Sequence, residues 1–433
     1  MKKYSGRDYG ILPGAGPELT QRIRQALLEC AARGDVFCME PGEYVIGTLE
    51  LPDNTSLELS GGAVLLGSGD IGDYPENTAA FVDAVGHKRG RCLLLAKDAE
   101  NIRISGAGTV SGRGALFREG HPHYLERPFL VRIVNCRNVR IEQVHLQDAA
   151  GWCLHLLDSE DVCVRGVSIR SRCNDNNDGI DVDSCSRVLI ECCTVDSGDD
   201  ALCLKSTTGR PCRDIVIRDC AVTTGCSAFK IGTESVGDFE NIRVEHCLFY
   251  DVDCCAVKIV PTDGANVRNV SVSGIRMRRC TGPVFVSVGT RLRAYFEARR
   301  SCPGVIEGLR FEDIEADCTD AAGHMLDGRM WGNGKSCVAL SGERGQKIRD
   351  VRFERCRFVM QGGVRRMPDS DVPKMGPQYP EFHLLGDLPA WGFFAQDVEE
   401  LCFGDGVVFE KKEEDVRPEM CCDRVTWRGG AQT

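Results

Sequence analysis

Short runs in which every second residue is apolar recur along most of the chain, and four of them align column for column. Residues 179–182 (GIDV), 201–204 (ALCL), 228–231 (AFKI) and 256–259 (AVKI) stack as consecutive repeats. Their outer columns are apolar: Ile180, Leu202, Phe229 and Val257 in one, Val182, Leu204, Ile231 and Ile259 in the other. The column between them is Asp181, Cys203, Lys230 and Lys258. Side chains alternate across a strand, so the outer columns are expected to face a core and the middle one to face out. The turns before the first two runs end in Asp178 and Asp200, which puts carboxylates beside an outward lysine column.

The same period extends well beyond this block. The phrase "Asn/Asp, Val/Ile, any residue, Ile/Val" begins its apolar part at Val139, Val162, Val188, Ile215, Ile242, Val270, Leu309 and Val351. The steps are 23, 26, 27, 27, 28, 39 and 42 residues, regular in the middle and longer later. Five residues past each come Val144, Val167, Cys193, Cys220, Cys247, Ile275, Ile314 and Cys356, a second inward ladder. Each period holds two or three short strands and no helix. Two ladders in register predict an all-β, single-stranded parallel β-helix, in which each coil buries its apolar face against the next and loops project at the corners. A β-sandwich explains the alternation but not the ladders. Before the repeats, Leu19, Ile23, Leu27 and Cys30 fall at helical spacing, with Pro17 early and Gly34 just beyond. This predicts an N-terminal helix capping the open end of the core. The expectation is one domain over 1–433, with 1–40 as cap region and 360–433 as C-terminal coils and cap.

Composition narrows the partners. A net charge of −11 argues against nucleic acid, and no apolar run reaches the length of a membrane span. The 25 cysteines are odd in number and often fall at inward positions of the repeat, where they read as reduced, small hydrophobes. The opening MKKYSGRDYG has no apolar core of a signal peptide, so the expected compartment is the cytoplasm.

The motifs resemble glycoside hydrolase family 28, the polygalacturonase family of right-handed parallel β-helices. The resemblance rests on GAGTVSGRG, RPFLVRIVNCRNV, GWCLHLL, NNDGIDVDS, SGDDALCLKS and the later LPAWGFFAQDVEEL, and so runs over nearly the whole chain. The family's Asn-Thr-Asp motif falls on Asn176-Asn177-Asp178, and its Asp-Asp motif on Asp199-Asp200, 21 residues after Asp178. Two departures stand out. The Gly-His-Gly position is Cys226-Ser227-Ala228, so Ser227 stands at the histidine. Arg-Ile-Lys becomes Lys258-Ile259-Val260, which keeps one cation of two, and Lys230 offers a replacement charge.

Glycoside cleavage needs one protonated acid at the leaving oxygen and one carboxylate to activate water or attack carbon. Three Asp on neighbouring coils are expected to raise one another's pKa by repulsion. The resemblance implies Asp199 as general acid and Asp178 with Asp200 as water activators, with inversion. Read from residues alone, DNNDGIDVDSCS also imitates a calcium loop, but its closing position is Cys185 rather than Glu, and a plain Asx turn accounts for each turn singly. Around the carboxylates, Asn176, Lys205, Ser227, Lys230 and Lys258 are the expected substrate contacts, with Trp152 and His155 one coil earlier. Arg291, Arg293 and Trp331, in long loops, are candidate cleft walls. No metal and no cofactor are called for.

The expected function is hydrolysis of α-linked, galacturonic-acid-containing pectic oligosaccharides, exo-acting because the later repeats carry long loops. The alternatives are a polysaccharide lyase on the same fold and a non-catalytic carbohydrate-binding β-helix, the latter favoured by Ser227. The oligomeric state is not specified by the residues.

Overall fold

The computed structural model describes residues 2–76, 79–320, 335–343, 345–346, 348–368 and 372–428. The chain divides into two compact units, Met1–Asp199 and Asp200–Thr433. Each is a stack of parallel coils, and the fold is the all-β parallel β-helix that the repeats predict.

In the first unit the helix Pro17–Arg33 forms as its pattern predicts. Pro17 opens it, where a missing N–H costs nothing, and Gly34 closes it at φ 68°, its N–H bonding the carbonyls of Ala31 and Cys30. Ile23, Leu27 and Cys30 are buried against the first strands, Val36–Met39 and Gly42–Ile46 among them. Three ladders then run through the stack. Leu49, Leu94, Val131, Leu154 and Ile180 pair in order along one. Leu57, Ile104, Ile141, Val164 and Ile190 form the second, and Leu65, Val110, Leu146, Ile169 and Val195 the third. All these side chains are buried. One short antiparallel hairpin departs from the coils, Phe81–Val82 with Lys88–Arg89.

The second unit has rows of its own: Leu202, Phe229, Val257 and Val284 in one, and Ile215, Ile242, Val270, Leu309 and Val351 in another. The residue before each predicted apolar start turns a corner. Asn138, Asp161, Arg187, Asp214, Asn241, Asn269, Gly308 and Asp350 all have φ between 50° and 76°. This left-handed corner explains the recurrent Asn/Asp, whose short side chains tolerate it, and the Gly at 308. Neighbouring corners are tied by amide bonds, Asn241 donating to Asp214 at 3.0 Å and Asn269 to Asn241 at 3.3 Å.

The middle column departs from expectation. Asp181 and His155 in the first unit, and Cys203, Lys230 and Lys258 in the second, are buried rather than solvent-facing. In the first unit Phe81, in the antiparallel hairpin, packs on Trp152 and His155. In the second, a strap over residues 372–388 lies over the lysines. Lys374 anchors it by donating to Asp397 at 2.5 Å and the Gly342 carbonyl at 2.6 Å, and it ends in the short turn Phe382–Leu385.

Candidate active site

The Asp-Asp pair falls where the two units divide in sequence, Asp199 in the first and Asp200 in the second. In the first unit, the turn before the strand Ile180–Asp183 is held by Asn177. This side chain is wholly buried: its Nδ2 donates to the carbonyls of Ala149 (2.8 Å) and Gly151 (3.0 Å), and its Oδ1 accepts from the Asn174 N–H at 2.8 Å. The turn thereby presents Asn176 and Asp178 on either side of a fixed peg. Asp178 is buried, 3% exposed. Asn176 takes a left-handed φ of 49° and bridges three charged groups. Its Oδ1 accepts from Arg127 Nη2 at 3.0 Å and Arg89 Nη2 at 3.3 Å, and its Nδ2 donates to Asp199 Oδ2 at 3.4 Å. Guanidinium groups only donate, so the amide orientation is fixed by chemistry. Asp199 itself is half-buried.

Arg89 and Arg127 belong to a buried basic cluster that the motifs do not mark. Arg89 Nε donates to Asp83 at 2.7 Å, and its guanidinium lies 5.2 Å from the centre of the Trp152 ring. Arg127 donates to the carbonyls of Ala150, Tyr124 and Asp175. Both donate toward His87 Nδ1, at 3.2 and 3.4 Å. Burial first, then the Arg89 and Arg127 charges, push the His87 imidazole down to about 4. Trp152 packs between Phe129 and His155, with ring centroids 5.2 Å away in each case. His155 is wholly buried, accepting from Arg132 at its Nδ1 (3.2 Å) and meeting Asp183 at 3.4 Å on the other nitrogen. Trp152 and His155, expected as substrate contacts, are both packed side chains here.

In the second unit the lysines are ion-paired within the protein. Lys230 donates to Asp200 Oδ2 at 2.5 Å and to the Tyr379 hydroxyl at 3.1 Å. Lys258, wholly buried, donates to Glu381 Oε2 at 2.6 Å. Lys205 reaches Glu234 at 3.3 Å. Burial works against the Asp200 carboxylate, but Lys230, Lys258 and Lys205 outweigh it and hold the group well below the usual carboxylate range. This reverses the expected mutual raising of the aspartates at this one member, because a buried cation in contact outweighs repulsion. Glu234 is likewise drawn down to about 2, its burial outweighed by Lys205, Arg291 and Lys230. Arg291 donates to Asp263 from Nε (2.8 Å) and Nη2 (2.7 Å), and its Nη2 also bonds the Tyr295 hydroxyl at 2.7 Å. Ser227 is wholly buried in the strand Ser227–Ser235. Arg293 is half-buried, with its guanidinium 5.4 Å from the Tyr295 ring centre. Trp331 lies outside the described residues.

The profile of glycosyl hydrolases family 28 matches residues 46–350, more than half of the chain. The chain belongs to that family. As a family 28 member it is a glycosidase, and the lyase and non-catalytic readings are set aside. A relative described as a probable polygalacturonase from Vitis vinifera is 26% identical over 365 residues, covering 78% of this chain and 73% of its own length. Among solved structures, the family 28 exopolygalacturonase of Yersinia enterocolitica superposes with a TM-score of 0.74 over 98% of this chain and 77% of its own, at 17% identity. The hyperthermoactive exopolygalacturonase of Thermotoga maritima follows at 0.66 over 94% and 91%, at 20% identity. These likenesses carry the fold.

The family motifs mark Asn176, Asp178, Asp199 and Asp200. They do not mark Arg89, Arg127, Tyr379 or Glu381, which touch motif or lysine-column residues from distant parts of the sequence. A buried Glu381, 123 residues from its lysine partner, leaves no spacing signal. Arg127 sits in the RPFL stretch shared with the family, but nothing in that string tells a buried arginine from a surface one.

Proposed function

We propose that this family 28 glycosidase hydrolyses α-linked, galacturonic-acid-containing pectic oligosaccharides from a chain end, with inversion. Asp199 protonates the leaving oxygen, and Asp178 and Asp200 activate the attacking water. The observation that carries this division of labour is the contrast between the two consecutive aspartates. Asp200 is buried against Lys230 and stays ionised, which suits a base and excludes an acid. Asp199 is half-buried, accepts from the Asn176 amide at 3.4 Å, and takes the acid's role from its place in the family motif.

Exo-action is supported by the strap in the second unit. A sugar polymer laid along the middle column there would collide with Tyr379, Glu381 and Phe382, so that column offers a closed end rather than a continuous groove. A pectic substrate is supported by the names of the relatives. The cytoplasmic setting is part of the same proposal, supported by cysteines that mostly occupy buried ladder positions as small hydrophobes. The test is product analysis on defined oligogalacturonides and rhamnogalacturonan oligomers. Saturated monosaccharide released first supports the reading; a spread of internal fragments removes the exo claim, and no release from any uronic oligomer removes the substrate claim.

A further inference from the structure

The strap carries one contact for each of three successive positions of the middle column. Tyr379 meets Lys230, Glu381 meets Lys258, and Phe382 stacks on Phe285 with ring centroids 4.8 Å apart and planes within 4°. Two of these contacts fill and neutralise the column. The first does more, because Lys230 is also bonded to Asp200.

We propose that Tyr379 and Lys230 are positioning residues for hydrolysis: the tyrosine hydroxyl and the Asp200 carboxylate together fix the Lys230 ammonium, and the fixed ammonium holds Asp200 in the orientation and ionic form that water activation requires. The inference rests on the reading of Asp200 as a water-activating base. Lysine is a point charge on a flexible four-carbon stem, and a single carboxylate does not settle where that stem lies. Here the ammonium has two acceptors, at 2.5 and 3.1 Å, with the Tyr379 ring centre 5.4 Å from Nζ. Lys230 and Asp200 are 1% and 2% exposed, so water screens neither charge. The tyrosine lies 149 residues further along, so docking of the strap and fixing of the base are one event.

Lys230 is the largest of the charges acting on Asp200, and Lys258 and Lys205 add to it. Lys205, Lys258 and Arg291 are turned to Glu234, Glu381 and Asp263 respectively. The thiols of Cys203 and Cys226 also face the Lys230 ammonium. Arg291 lies 5.8 Å from the Tyr379 ring centre, and Glu234 and Glu381 face the tyrosine hydroxyl. With Lys230 in place, the burial that would raise the Asp200 carboxyl is overcome; without it, burial acts with less opposition. Activity that needs ionised Asp200 is lost as pH falls through the Asp200 pKa, so removing Lys230 must move that loss to higher pH.

The experiment measures kcat and KM against pH, on a defined oligogalacturonide, for the native chain and for Lys230→Gln, Tyr379→Phe and Asp200→Asn, with thermal melts alongside. Lys230→Gln is expected to move the acid limb of kcat up by about 1–3 pH units. Tyr379→Phe is expected to lower kcat roughly 10-fold with KM little changed, and to move the limb in the same direction by less. A purely structural role would lower activity evenly at all pH values, and an unmoved limb in both variants overturns the proposal. Should Lys230→Gln fail to fold, Tyr379→Phe decides alone, since it removes one oxygen. Wild-type turnover by Asp200→Asn would overturn the base reading and this inference with it. An inactive Asp200→Asn beside an unmoved limb in Lys230→Gln would overturn the positioning role only.

Discussion

Replacing Lys258 by Met separates two uses of the same charge. A lysine in an outward column would read a uronate carboxylate, and its loss would raise KM for charged substrates by roughly 10- to 100-fold. In the folded protein the ammonium is 2.6 Å from Glu381, and the two side chains are 0% and 8% exposed. Burial disfavours the charged lysine, yet the Glu381 carboxylate more than compensates and holds its pKa well above the ordinary lysine value. Breaking such a pair from one side leaves an uncompensated buried charge, at a cost of about 3–5 kcal/mol. Lys258→Met and Glu381→Leu should each lose about that much in urea unfolding. The double variant Lys258→Met/Glu381→Leu should lose no more than either single change, because apolar replacement of a whole buried pair is often neutral. That non-additivity, a coupling of about 3 kcal/mol or more, is the signature of the pair. KM for charged and neutral substrates should then change alike in Lys258→Met. Unchanged stability together with a KM rise confined to uronate substrates would refute the reasoning, and would show the ammonium facing the sugar.

Other expectations follow from the same geometry. Asp199→Asn should lower kcat by about 10²–10⁴ with little change in KM, and near wild-type turnover would remove its role as acid. Ser227→His forces an imidazole into a wholly buried strand position and should destabilise the protein by about 1–3 kcal/mol without improving turnover; a gain in activity would show that the site lacks a histidine it needs. His87 titrates at about 4 when folded against about 6.5 when unfolded, so the unfolded chain binds more protons between those values. Stability should therefore fall as pH drops through that window, by up to about 1.4 kcal/mol per pH unit, and should fall less in His87→Asn; identical pH dependence in the two proteins would contradict a half-buried neutral imidazole.

The coils were legible because each ladder position repeats a local requirement. Val139 to Val351 are inward apolar residues, and the residue before each is a left-handed corner that favours Asn, Asp or Gly. Pro17 and Gly34 marked the helix for similar local reasons. The motif aspartates were legible through family resemblance. What alternation could not tell is what covers the outward face of a strand. Lys230 and Lys258 sit on the outward side of their strands as the period demands, but the strap, more than a hundred residues downstream, buries them. The covering of Trp152 and His155 was illegible for the same reason, since the hairpin residue Phe81 lies far from them in sequence. Period reveals which side a residue takes, not what arrives there from elsewhere in the chain.

The most direct test of the account is time-resolved proton NMR of the products from a defined α-linked oligogalacturonide. The account predicts saturated galacturonate released one residue at a time, with the β anomer appearing first and the α anomer growing in only by mutarotation. Initial release of the α anomer would contradict inversion by paired water activators, and unsaturated product would contradict hydrolysis itself.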